Sequence, residues 1–127
     1  MSYLLDTNTI SEWVKPTPDP GVMAWFDEVD EDLTFLSVIT LGELRKGVER
    51  LAAGRRRDRL DLWLSTELPE RFAERVLSVD AAVAHEWGRL LARTEQAGQS
   101  IAGTDALIAA TAAVHGLDVV TRNVAHF

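Results

Sequence analysis

Ser2-Tyr3-Leu4-Leu5-Asp6-Thr7-Asn8-Thr9-Ile10 is the stretch on which the reading of this chain turns. Its apolar run, Tyr3 to Leu5, is too short for a helix and stops abruptly at an aspartate. Polar residues follow, and then Ile10, Trp13 and Val14 at helical spacing. This pattern predicts a buried strand that hands over to a helix and delivers Asp6 at its carboxyl end. In open parallel sheets ligands bind beyond that end, which makes Asp6 a candidate functional residue. Asp is also a favoured helix N-cap, so Asp6 alone leaves a structural role equally open.

Downstream the pattern alternates. A short helix is expected over Thr9–Val14, ended by Pro16 and a Pro18-Asp19-Pro20-Gly21 turn, and a second over Val22–Val29. Leu33–Val38 reads as a second strand. Thr40–Ala53 reads as a helix with Leu41, Leu44, Val48 and Leu51 in one apolar stripe, ended by Gly54 and the Arg55-Arg56-Arg57 run. Leu60 to Leu68 predicts a further helix stopped near Pro69. Arg75–Val79 reads as a strand and Asp80 as the N-cap of a helix carrying Val83, Trp87, Leu90, Leu91 and Thr94 on one face, closed by Gly98. Gly103-Thr104 opens an Ala-rich helix over Ala106–Val114; Gly116 stops it, and Leu117–Thr121 is a last strand. Strands alternating with helices predict a single α/β domain over residues 1–127, with a mainly parallel central sheet and helices on both faces.

Composition narrows the function classes. The 127 residues suffice for one core and not for two. There is no cysteine, hence neither a disulfide framework nor a thiolate metal site. No stretch has the ~18 uninterrupted apolar residues of a membrane span, so the protein is expected to be cytoplasmic, with no membrane partner. The formal net charge of −7 argues against a nucleic-acid ligand at first sight. Between Arg45 and Arg59, however, seven basic residues face only Glu49 and Asp58. This local +5 leaves −12 on the rest of the chain. A basic patch on an acidic body and a solvated helix face are both compatible with it.

A parallel sheet would bring scattered residues to one edge. Asp6 ends the first strand, Glu43 lies early in the helix leaving the second, and Asp105 starts the helix that feeds the last strand. That helix must run antiparallel to its strand, so Asp105 falls at the same rim, and Asn123 directly follows the strand. Carboxylates within ~5 Å repel by about 3 kcal/mol per pair at an effective dielectric near 20. A hard divalent cation removes that repulsion, and an oxygen-only donor set without Cys or His suits Mg²⁺ or Mn²⁺ rather than zinc. Such a metal binds phosphate oxygens and generates hydroxide, the chemistry of phosphodiester hydrolysis. Set against this, Glu43 lies off the apolar stripe of its helix, and an acid at position 105 would serve the helix dipole. Glu12, Glu86 and Asp118 read as surface charges, and His85 and His115 as isolated helix residues.

Four segments, in order over essentially the whole chain, carry a resemblance. They are Leu4-Leu5-Asp6-Thr7-Asn8; Ser37-Val38-Ile39-Thr40-Leu41-Gly42-Glu43-Leu44 with Gly47; Thr104-Asp105-Ala106-Leu107-Ile108-Ala109-Ala110-Thr111-Ala112; and Thr121-Arg122-Asn123 with Phe127. Together they resemble PIN-domain toxins of the VapC type. The resemblance implies a metal-dependent endoribonuclease, the toxin of a type II toxin–antitoxin pair. It also implies a homodimer neutralised by a VapB-type antitoxin in a heterotetramer or larger assembly. Asp6, Glu43 and Asp105 would bind Mg²⁺ or Mn²⁺ and organise the attacking water, with Asn8 and Thr121 as supporting polar residues. Asn123 stands where many members carry a fourth acid, and would ligate through its amide oxygen without adding charge. His126 replaces an Asp. Relatives typically continue past Phe127 into one more short strand. The surface from Trp25 through the Leu41–Trp63 helices, with its arginines, is the expected antitoxin face.

Two alternatives make other demands on the residues. A haloacid-dehalogenase-like phosphatase needs a second acid where Asn8 stands and a lysine after a strand, but only Lys15 and Lys46 are present. A catalytically weak PIN-fold interaction module would need no cation.

Overall fold

The computed structural model describes residues 1–121. Among the described residues four strands form the sheet: β1 (Tyr3–Leu5), β2 (Thr34–Ser37), β3 (Val76–Leu77) and β4 (Asp118–Val120), in the order β3-β2-β1-β4. Every pairing is parallel; Leu4 lies opposite both Phe35 and Val119, and Leu5 opposite Val120. β1 is therefore central, as its unbroken apolar character demands.

Successive strand residues point to opposite faces, and each face has its own core. Leu5, Leu36 and Val120 join Ile10, Val48, Leu60, Leu64, Leu68 and Phe72 on one side. Leu4 packs with Ile108 and Ala112 on the other, where Phe35, Ile39 and Val119 border them. The first face is covered by α1 (Thr7–Ile10), a 3₁₀ turn at Ser11–Val14, α2 (Pro20–Glu28), α3 (Val38–Glu49), α4 (Arg55–Leu62) and α5 (Leu68–Phe72). The second carries α7 (Gly103–His115), against which α6 (Ala81–Gln96) packs. The expected α/β architecture, parallel with helices on both faces, is the one observed. Among the described residues no helix is long and apolar enough to cross a membrane.

Several local expectations change. Pro20 and Gly21 are the first turn of α2 rather than part of a turn before it, because Asp19 caps the helix by accepting from the Gly21 and Val22 amides. Arg55-Arg56-Arg57 does not terminate α3, which ends at Glu49; it is the first turn of α4. Pro69 does not stop the helical run either. A π-helical turn at Trp63–Glu67 precedes it, with the Leu68 amide bonding to the Trp63 carbonyl. Proline interrupts the regular hydrogen-bond ladder, and the wider turn accommodates that, so α5 continues to Phe72. Asp80 caps α6 through the Val83 amide, and Gly116 ends α7 with φ 65°, both as expected.

Glu12 is the clearest reversal among single residues. Read as a surface charge, it is 2% exposed, ion-paired with Lys15 and accepting the Asp19 amide at 2.7 Å. It pins the 3₁₀ turn to the start of α2. Asp118 is exposed, and Glu86 is ion-paired with Arg89 and Arg93 on the face of α6.

Candidate functional site at the carboxyl edge of the sheet

Each acid arrives at the rim by a different local route. The Asp6 amide donates to the Val120 carbonyl at 2.8 Å, carrying the β1–β4 ladder one residue past the strand. Its backbone then turns into α1, and its carboxylate accepts the Thr7 amide at 2.8 Å as N-cap. The capping reading of Asp6 is met, and the same side chain stands at the rim where a ligand would bind. Ser37 ends β2 and caps α3 through the Ile39 amide, which starts the helix at the rim and sets Glu43 in its second turn. Asp105 lies in the first turn of α7, and only Gly116 and Leu117 separate that helix from β4. So short a link forces α7 antiparallel to the strand and returns its N-terminus to the rim.

Asp6 senses the other two carboxylates. Asp6 is held above the ordinary aspartate range, chiefly by burial and further by the negative charges of Asp105 and Glu43; the Thr7 amide opposes this. Glu43, off the apolar stripe, is nonetheless half-buried. The Thr7 hydroxyl donates to its Oε1 at 2.6 Å and lies 3.3 Å from the hydroxyl of fully buried Thr40. Thr7 thus holds Glu43 across from α1 and is itself braced by Thr40 of α3. Sequence reasoning missed it, although Thr40 and Glu43 stand three apart on one helix and Thr7 directly follows Asp6.

Thr9 ties the rim together from below, its buried hydroxyl donating to the Val120 carbonyl at 3.0 Å and lying 3.3 Å from Asn8 Oδ1. Asn8 is exposed beside Asp6, and Thr121 is half-buried just past β4, level with Asp6. Asn123, His126 and Phe127 lie outside the described residues. Among the described residues no three Asp, Glu or His side chains are already gathered closely enough to hold one ion directly. The donor set itself, carboxylates and neutral oxygens on one rim, fits a cation such as Mg²⁺, which keeps several waters and takes one or two carboxylates directly.

Grooves lead away from this rim. One of about 300 Å³ runs from Thr7 and Glu43 past Val48 and Leu51 to Arg56 and Trp63. A larger one of about 680 Å³ lies between α2 and α4, with Trp13, Met23, Phe26 and Trp63 in its wall and a margin of mixed charge that includes Lys15, Arg59 and Arg71 with Asp27, Glu31 and Glu67. The Arg55–Arg57 run is divided: Arg57 pairs with Glu49 and donates to the Leu51 carbonyl, while Arg55 and Arg56 are exposed.

Fold and rim together define an α/β domain with an acidic site at the carboxyl edge of a parallel sheet. The sequence matches the PIN domain over residues 3–126, and the chain belongs to that family. The toxin FitB of Neisseria gonorrhoeae is 40% identical over 124 residues, covering 98% of this chain and 89% of the relative. The VapC ribonuclease Y4jK of Sinorhizobium fredii is likewise 40% identical, with the same coverage. The crystal structure of FitAcB from Neisseria gonorrhoeae aligns with a TM-score of 0.89 at 40% identity, over 95% of this chain and 87% of that one.

Proposed function

We propose that this PIN domain is a Mg²⁺- or Mn²⁺-dependent endoribonuclease that hydrolyses RNA phosphodiester bonds, and that it is the toxin of a VapBC-type toxin–antitoxin pair. The observation that carries the reading is the delivery of Asp6, Glu43 and Asp105, from three distant parts of the chain, to the carboxyl edge of one parallel sheet. Relatives named as a ribonuclease and as a toxin, each matched over nearly the whole chain, support it.

In this reading Asp6, Glu43 and Asp105 would hold the cation, one or two of them directly and the rest through its water, and Asn123 would contribute an amide oxygen. When bound, the cation neutralises phosphate charge and lowers the pKa of water enough to supply hydroxide. The chain's own part is orientation. The Thr7 hydroxyl aims Glu43, the Thr7 amide aims Asp6, and Asn8 and Thr121 position water and carboxylates beside them. The antitoxin would dock in the groove between α2 and α4, whose wall carries Trp13, Met23, Phe26 and Trp63 and whose smaller neighbour leads to Glu43. A homodimer, a heterotetramer or larger complex with antitoxin, and a cytoplasmic location complete the proposal.

The deciding test is RNA cleavage by wild type and Asp105→Asn with Mg²⁺, with Mn²⁺ and with chelator. Wild type is expected to cleave only with metal. The variant should lose at least the 10–100-fold typical of changes to groups that orient a bound metal. Cleavage that survives both chelation and the substitution would sink the reading.

A further inference from the structure

We propose that Lys46 and Arg50 form a phosphate-binding track beside the acidic rim, over which the backbone of single-stranded RNA is laid. The proposal rests on the ribonuclease reading and specifies how an acidic protein holds a polyanion.

A groove of about 530 Å³ opens from the rim between α3 and the start of α7, lined by Thr7, Gly42, Glu43, Lys46, Arg50 and Thr104 among others. Glu43, Lys46 and Arg50 follow at helical spacing, so the two cations succeed the carboxylate along one face of α3, roughly 6 Å apart along the axis. Of the remaining cations of the basic stretch, Arg55, Arg56 and Arg59 are also exposed but do not line this groove, and the other two are paired. Arg45 pairs with Asp61 and Glu49, and Arg57 with Glu49. Among the described residues neither Lys46 nor Arg50 makes an ion pair, and both are exposed. Their charge is thus directed at the groove rather than consumed within the fold.

The lining of the groove gives a second, independent indication. Gly42 and Gly47 sit inside α3 and line this groove, and a Cβ added at either would meet nothing within 4 Å. Neither backbone conformation nor packing requires glycine there, although glycine weakens a helix. A smooth wall beside two cations is what a closely approaching sugar-phosphate chain requires. A role of the cations limited to complementing the C-terminal dipole of α3 would leave the glycines unaccounted for.

The test is binding of a fluorescein-labelled, mixed-sequence single-stranded RNA 12-mer, read by anisotropy in EDTA across a KCl series, in an Asp105→Asn background that prevents cleavage. Adding Lys46→Gln/Arg50→Gln should flatten the slope of log K against log salt by about 1.4, the value for two lost phosphate contacts on a single strand. Arg55→Gln/Arg89→Gln, which removes the same charge elsewhere, should leave the slope unchanged. Gly42→Leu should weaken binding at least tenfold while its unfolding midpoint stays at or above that of the background. An unchanged slope in the Lys46/Arg50 variant overturns the track, as does an equal loss in the Arg55/Arg89 control or absence of RNA binding. Weakened antitoxin affinity with unchanged RNA slope would assign the groove to the protein partner instead. Cleavage by wild type in Mg²⁺, measured alongside, separates these failures from failure of the ribonuclease reading.

Discussion

Asp6 is pulled in two directions. The Thr7 amide favours its charged form, whereas burial, the larger influence, and the charges of Asp105 and Glu43 favour the protonated form. Its folded pKa lies above its unfolded one, so its favourable contribution is full below the ordinary aspartate value and is lost as pH rises through the raised value. At neutral pH without metal the charged side chain therefore opposes folding. Asp6→Asn keeps an N-cap and removes the charge. Because the site is only about half-buried, solvent screening limits the gain to about 1 kcal/mol, or on the order of 3–5 °C in unfolding midpoint. Calorimetry in EDTA should show that gain at pH 7, shrinking as pH falls through the carboxylate range. Mg²⁺ should then stabilise wild type and not the variant. A variant less stable than wild type at pH 7 would reduce Asp6 to a cap. Thr7 permits a second measurement. Thr7→Val keeps the shape and loses the 2.6 Å bond to Glu43, so stability should fall by about 1 kcal/mol and RNA cleavage by 10–100-fold, with Thr7→Ser restoring both. Cleavage unchanged in the valine variant would mean that Glu43 needs no such orientation.

At the scale of elements, legibility followed how local the determining physics is. Tyr3–Leu5, the Leu41/Leu44/Val48/Leu51 stripe, the Asp80 cap and the Gly116 stop are encoded within a few residues, and each was readable. The placement of Asp6, Glu43 and Asp105 at one edge was readable too, because a parallel sheet fixes which ends of its helices share that edge. Helix continuity through Pro69 was not, since it depends on a π turn and on Leu64, Leu68 and Phe72 being buried against distant Leu36 and Ile10. Nor was the burial of Glu12, which needs the Asp19 amide from the next helix. Two glycines show how the element decides the sign of a substitution. Gly42 lies inside α3 with open space at its Cβ, so Gly42→Ala should stabilise by about 0.5–1 kcal/mol. Gly116 adopts φ 65°, where L residues are strained, so Gly116→Ala should destabilise by about 1–2 kcal/mol. Urea unfolding of both variants checks the pair, and equal signs would contradict the assigned backbone roles.

Across the whole molecule, the two faces of the sheet hold the site with different materials. One face is broad and aromatic, with Trp13 packed against Phe26 and Phe72 and Arg71 stacked over Trp13. The other is narrow: Leu4, Ile108 and Ala112 are its buried members, and α7 approaches closely through small side chains. Asp6 and Glu43 sit on elements tied to the broad face and to each other, whereas Asp105 depends on how α7 seats on the narrow one. Ala112→Leu, 3% exposed in its native form, should therefore do two things. Overpacking should destabilise the fold by about 1–3 kcal/mol. By pushing α7 off the sheet it should also move Asp105 from Asp6, and a displacement near 1 Å is enough to lower turnover by about a hundredfold. Ala113→Leu places the same side chain on the exposed side of the same helix and should leave stability within about 0.5 kcal/mol and cleavage unaltered. Mg²⁺-dependent stabilisation measured on both variants isolates the geometric effect, because the metal response reports the carboxylate arrangement even where RNA binding is intact. A full metal response in a destabilised Ala112→Leu would show that Asp105 is held at the rim independently of α7 packing, and the coupling argued here between the narrow core and the site would be wrong.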